Sequence, residues 1–153
     1  SPFGIGVLSK LPFAGVTVDW NWRGSSLKIP TVEIIAEWQD RLLKTVAFHP
    51  MPPIGKEYSV ARNKKLEEIY TESKQQGLPT IIAGDFNATP WSSAFGNNDF
   101  KRATGLQPTW PIRYFGIPVD QVLVSKHWEV RRSQVGPDIG SDHMPVIVEI
   151  VLA

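Results

Sequence analysis

Punctuation constrains this chain more than any other feature. Thirteen Pro and twelve Gly are spread along 153 residues and cut it into short segments. Only one long stretch escapes interruption and carries a helical period, Tyr58 to Gln76. There Leu66, Ile69, Tyr70 and Ser73 fall at helical spacing, Arg62 extends the same face upstream, and Lys and Glu fill the other. Gly77 and Pro79 form its stop. The remaining apolar runs are short and β-rich. They predict strands at Gly6–Ser9, Val16–Trp20, Thr31–Glu37, Leu42–Phe48, Thr80–Gly84, Val119–Ser125, Trp128–Val135 and Pro145–Leu152. Gly24-Ser25-Ser26 reads as a loop, Gln39-Asp40 as a hairpin link, and a short helix is expected after Pro90 with Ser92 and Ser93 near its start. Many strands with one or two helices favour an α/β (α+β) fold in which two sheets pack face to face with helices outside. A parallel doubly wound sheet fits less well, since helices are too few between strands.

The length suits one domain over residues 1–153. Six Trp and seven Phe argue against disorder, and most of the Trp are expected in the core. Sixteen basic and fifteen acidic side chains give a net charge of +1, which does not advertise a nucleic-acid partner. The absence of Cys removes disulfides, thiolate metal sites and Cys nucleophiles. No stretch approaches the roughly 20 apolar residues of a membrane span. The chain opens Ser1-Pro2-Phe3-Gly4 without an initiator Met, which reads as a cut or processed start. Absent targeting signals therefore leave the compartment of the parent protein unknown.

Polar groups gather at predicted strand ends. Thr80–Gly84 delivers Asp85 and Asn87, two residues apart and so on one face. Asp85 can take a proton or bind a cation, and Asn87 offers a donor and an acceptor. Asp142 and His143 precede the last strand: a hard oxygen ligand beside an imidazole that titrates near neutrality. Adjacent residues point to opposite sides unless the backbone turns, and Gly140 permits a turn. Asp120 heads an apolar strand, where it could hold an imidazole in one tautomer. His49 ends another strand before Pro50, Pro52 and Pro53. Each group alone has a bland alternative: an Asx turn, a solvated loop, a surface ion pair or a structural His.

Together, Gly84-Asp85-Phe86-Asn87 and Ser141-Asp142-His143 resemble the two signature motifs of the endonuclease/exonuclease/phosphatase superfamily. That group includes pancreatic deoxyribonuclease, abasic-site endonucleases, neutral sphingomyelinases and inositol polyphosphate phosphatases. Val119-Asp120-Gln121-Val122-Leu123-Val124-Ser125 resembles the family's Asp-bearing strand. Val46-Ala47-Phe48-His49-Pro50 resembles the strand ending in its first His. Gly4 to Pro12 resembles its Ser-Arg-Pro strand, with Lys10 where Arg is usual. Asn87-Ala88-Thr89-Pro90-Trp91-Ser92 and Trp110-Pro111 are similar to a bacterial branch often carried behind membrane-spanning segments, which would anchor the parent to a membrane.

The resemblance implies a deoxyribonuclease-like fold and hydrolysis of a phosphodiester or phosphomonoester with Mg²⁺ or Mn²⁺. It assigns Asp85 as general base for the attacking water and Asn87 as the residue orienting that water and the phosphate. Asp142 becomes a metal carboxylate and His143 the imidazole on the scissile phosphate, with Asp120 orienting it. His49 becomes a second phosphate-contacting His. Arg62 corresponds to a phosphate-binding Arg, with a snorkelling side chain as the alternative. The substrate stays open among nucleic acid, phospholipid and inositol phosphate.

Two departures stand out. Gln121 occupies the position where His or Arg commonly follows the strand Asp. The family's opening strand–helix–strand unit, with its Asn and its metal-binding Glu, has no counterpart before Ser1, and Glu33 and Glu37 cannot replace it. A fragment of this kind is expected to bind metal weakly, to be weakly active or inactive, and to self-associate through an exposed sheet. A non-catalytic binding module that retains the fold, with Trp at its interface, is the alternative.

Overall fold

The computed structural model describes residues 4–22, 25–96, 98–112 and 115–153. Eight strands and one long helix follow in the order β1 (Phe13–Asp19), β2 (Thr31–Trp38), β3 (Arg41–Ala47), α1 (Lys56–Gln76), β4 (Thr80–Asp85), β5 (Lys101–Arg102), β6 (Asp120–Val124), β7 (Trp128–Val135) and β8 (Val146–Leu152). Six strands form one mixed sheet in the order β1-β2-β3-β4-β6-β5, and β7 and β8 form a second. The fold is α+β with two sheets.

Strand alternation sorts the side chains of the large sheet into two layers. On one face Val46, Ile82 and Leu123 pack with Phe48, Phe86 and the apolar stripe of α1, Ala61, Leu66 and Ile69. On the other face Leu43, Ile81, Val122 and Val124 meet Trp128, Val130, Val148 and Ile150 of the small sheet. The helix ends where Gly77 takes φ 67 and its N–H donates to Ser73 O, a left-handed cap. Lys44 is fully buried on the helix side, paired with Glu33 at 2.8 Å and donating to Gln76 Oε1 at 3.1 Å. Burial is tolerable because the ammonium finds both a countercharge and a second acceptor.

Several elements differ from the sequence reading. Residues 4–9 are not a strand, and Leu8 is fully exposed. Among the described residues no strand lies beside them to take up their backbone hydrogen bonds, and an isolated extended segment is not stable alone. The strand expected at Val16–Trp20 begins earlier, at Phe13. The helix expected after Pro90 is a single 3-10 turn, Ser93–Phe95, capped by Ser92 Oγ accepting from Ala94 N. The two-residue strand β5 carries no apolar period and escapes sequence reading. Gly24, expected in a loop, lies outside the described residues. Only Trp22 and Trp128 are buried, whereas Trp20, Trp38, Trp91 and Trp110 are exposed, so the expectation that most Trp fill the core is corrected. Trp is too large and too polar at Nε1 to be placed by hydrophobicity alone.

No helix among the described residues is long and apolar enough to cross a membrane.

Candidate active site

Three strand ends meet at one edge of the large sheet. β3 and β4 run parallel, so their carboxyl ends lie side by side, and Phe48 N donates to Ala83 O at 3.0 Å. β6 runs antiparallel to β4 and pairs Asp120 with Asp85. The topology therefore gathers His49, Asp85 and Asp120, which are far apart in sequence. Gly84 makes the approach possible. Its φ is 150, and an added Cβ would lie 2.0 Å from Phe48 O. Any side chain there would push β4 off β3.

The second contribution comes from the turn before β8. Gly140 takes φ 85, and His143 N donates to Ser141 Oγ. This bend brings the His143 ring back over the strand ends. His143 Nδ1 lies 2.8 Å from Asp120 Oδ2, and Nε2 lies 3.8 Å from Asp85 Oδ2. On the other side His49 Nε2 lies 3.7 Å from the same Asp85 oxygen. Asp85 Oδ1 accepts from Asn87 N at 2.7 Å, an Asx turn with Asn87 at φ 46. The bland reading of this turn and its chemical reading coexist: one oxygen holds the loop while the other faces two imidazoles. Burial raises the Asp85 pKa above its ordinary value; the Asn87 N–H opposes this, Asp120 adds to it, and His143 and His49 oppose it. A half-buried carboxylate with a raised pKa in a polar cluster is a candidate general base.

The other sequence candidates take different places. Asn87 Nδ2 donates to Pro50 O at 2.9 Å, tying the Asp85 loop to the segment after His49. Arg62 is buried, and its guanidinium donates to Asn87 O, Ser92 Oγ and Asn63 Oδ1. Burial lowers its pKa. These bonds make it a brace for the Asn87 loop. Asp142 is exposed, and its Oδ2 accepts from Trp110 Nε1 at 3.1 Å. Gln121 is buried on the opposite face of β6 from Asp120. It donates to Pro118 O and accepts from Thr104 Oγ1, both at 2.7 Å, so it serves the loop before β6.

Two residues supporting the site carried no chemical signal in the sequence. Thr109 Oγ1 is buried and accepts from Val119 N at 3.2 Å and Asp120 N at 3.3 Å, fixing the start of β6. Trp110 joins Ile117 in an isolated bridge, holds Asp142, and sets its ring 6.0 Å from the His143 ring. Met144 N donates to Thr109 O at 2.8 Å and locks this segment to the His143 turn. Only the Trp110-Pro111 dipeptide, noted above for its family likeness, pointed to the region.

Asp85, Asp120 and His143 can bring ligand atoms within 4.8 Å of one another, a spacing at which they could share one metal ion. Two hard carboxylates and one imidazole suit a divalent cation.

The chain belongs to the Endonuclease/Exonuclease/phosphatase family, whose sequence pattern matches residues 1–143. Solved structures with the same fold include an endonuclease/exonuclease/phosphatase from Bacteroides vulgatus, at 19% identity and TM-score 0.73, covering 94% of this chain and 67% of that one. A humanized D. rerio TDP2 is 14% identical at TM-score 0.74, covering 92% and 68%. The mannosyl-6-phosphatase Bt3783 of Bacteroides thetaiotaomicron is 20% identical at TM-score 0.65, covering 94% and 68%. The chain thus spans about two thirds of the length of these structures. A sequence search of curated proteins finds no match.

Proposed function

We propose that this chain carries the site of a metal-dependent phosphoester hydrolase in which water attacks phosphorus in line. The observation that carries the reading is Asp85 Oδ2, which faces His49 Nε2 at 3.7 Å and His143 Nε2 at 3.8 Å while Asp120 grips the far side of His143 at 2.8 Å. Asp85 is the base. It takes a proton from the attacking water as the water oxygen bonds to phosphorus and the leaving oxygen departs. Asp120 holds the His143 ring in one orientation and stabilises its charged form, so that Nε2 can donate to a phosphoryl oxygen. His49 is a second donor from the opposite side, and Asn87 orients water and phosphate. Arg62 acts behind Asn87, as a positioning residue.

Asp142, with Asp120, would hold Mg²⁺ or Mn²⁺, leaving Asp85 as the base and the charged His143 as the phosphate donor. When bound, such a cation neutralises charge developing on the phosphoryl oxygens. The substrate is a phosphodiester or phosphomonoester. The mannosyl-6-phosphatase among the structural neighbours keeps monoesters in view. The net charge of +1 tilts away from tight non-specific DNA binding, which needs many cationic contacts.

The deciding experiment is hydrolysis of bis-(4-nitrophenyl) phosphate and of 4-nitrophenyl phosphate with Mg²⁺ or Mn²⁺, comparing the full-length parent with its Asp85→Ala variant, since this fragment by itself is expected to be weakly active or inactive. Loss of a general base should lower the rate by about 10²–10⁴-fold. Equal rates in both proteins would remove Asp85 from the chemistry. No hydrolysis of either ester by the parent would favour a binding module that keeps the fold without catalysis.

A further inference from the structure

A cavity of about 540 Å³ opens between α1, the segments 93–96 and 98–100, and the β6–β7 turn. That volume suits a small molecule. None of the candidate catalytic residues lines it. β4 starts beside its wall, at Leu78 and Ser125, and runs away from it to Asp85, which puts roughly 17 Å of strand between the two places.

The wall has a definite chemistry. Asn63, Ser93, Asn98 and Ser125 give it an amide and hydroxyl lining. Tyr70 and Phe100 give an aromatic wall, their ring centres 5.1 Å apart and tilted by 37°. The charges around the cavity cancel. Lys74 pairs with Asp99 at 3.1 Å, Glu67 and Lys126 add one formal charge of each sign, and His127 Nδ1 bonds Ser125 Oγ. Hydroxyl and amide groups beside an aromatic face, without an excess of either charge, select a neutral ligand that offers a ring and hydroxyls.

The same wall is tied to the candidate active site. Asn63 and Ser93 both line the cavity, and Asn63 Nδ2 donates to Ser93 Oγ at 3.2 Å. Arg62 Nε donates to Asn63 Oδ1 at 3.1 Å, and its Nη1 donates to Asn87 O at 2.9 Å. Asn87 N in turn donates to Asp85 Oδ1. Three hydrogen bonds thus run from the cavity wall at Asn63 to Asp85.

We propose that this cavity binds a neutral, hydroxyl-bearing ring compound, a sugar or a nucleoside, and that its occupancy is transmitted to Asn87 through Asn63 and Arg62. Neither half requires the site to hydrolyse anything, so the proposal and the hydrolase reading fail separately.

The test uses the full chain with methyl mannoside and adenosine as probes, followed by calorimetry and by ¹H–¹⁵N NMR. Saturable binding of one probe is expected, and which one binds identifies the source. Thr71→Trp, at an exposed helix position on the wall, should weaken that binding by at least about tenfold, while Asp85→Ala, acting only through the Asn87 link, should change it by less than that. The Asn87 amide resonance should shift on ligand addition in the wild type and not in Asn63→Ala. Failure of both probes to bind at millimolar concentration overturns the site. Binding abolished by Asp85→Ala assigns the probe to the catalytic edge and also overturns it. Binding that leaves the Asn87 resonance unmoved overturns the coupling.

Discussion

Asp85 carries two opposed demands. One oxygen is needed for the turn that holds Asn87, and the other sits in a half-buried cluster that resists its charge. Because its pKa is raised in the folded state, the folded chain keeps the Asp85 proton over a pH window in which the unfolded chain has already lost it. Its contribution to stability is full below the unfolded pKa and is lost as pH rises through the folded one. In metal-free buffer, Asp85→Asn should therefore raise Tm at neutral pH, and the gain should shrink as pH falls through that window. Thermal melts across pH check this, and an Asn variant less stable at neutral pH would contradict it. In the hydrolase reading the same shift makes the rate rise with pH through the raised pKa, because only the ionised carboxylate accepts a proton. Trp110 is the second residue with a test of its own. Trp110→Phe keeps a ring near His143 and removes the N–H that holds Asp142. The expected result is a higher half-saturating Mg²⁺ concentration for hydrolysis, with Tm changed little, since the bond is exposed and such bonds contribute about 1 kcal/mol.

At the scale of elements, the junction of β3 and β4 decides whether the site exists. Their parallel pairing sets His49 beside Asp85, and Gly84 lets Phe48 O come close. Gly84→Ala should destabilise the fold by about 2–4 kcal/mol, since both the φ and the contact are incompatible with a Cβ. Denaturant titration measures it, and a cost under about 0.5 kcal/mol, as at ordinary surface positions, would show that the strands separate easily. The helix contributes differently. Its buried Arg62 spends its guanidinium on the Asn87 loop. The family resemblance assigns it a phosphate contact; in this structure its guanidinium donates to Asn87 O and Ser92 Oγ.

For the molecule as a whole, the large sheet presents an exposed apolar edge. β1 is its terminal strand, and Phe13, Val16 and Val18 are each at least 45% exposed. Such an edge favours pairing with another chain. Sedimentation should show association that grows with concentration and weakens in Val16→Lys; a monomer at every concentration would count against it. About a third of the length of those solved structures lies outside the alignment with this chain.

What could be read from the residues alone was local: the single long helix, the strands β2 to β4 and β6 to β8 to within a few residues, and the two polar motifs around Asp85 and His143. Periodicity and turn chemistry act between near neighbours, so they are visible in one dimension. The partners of those residues were not. That Asp85 lies between two imidazoles, that Arg62 and Gln121 turn to bracing, that Asp142 leans on Trp110, and that Thr109 anchors β6 all depend on strand order and on two glycine-permitted bends. The exposed Trp residues and the lost strand at Gly6–Ser9 have the same cause. Burial and pairing are settled by what lies alongside in space, and no spacing along the chain encodes that neighbour.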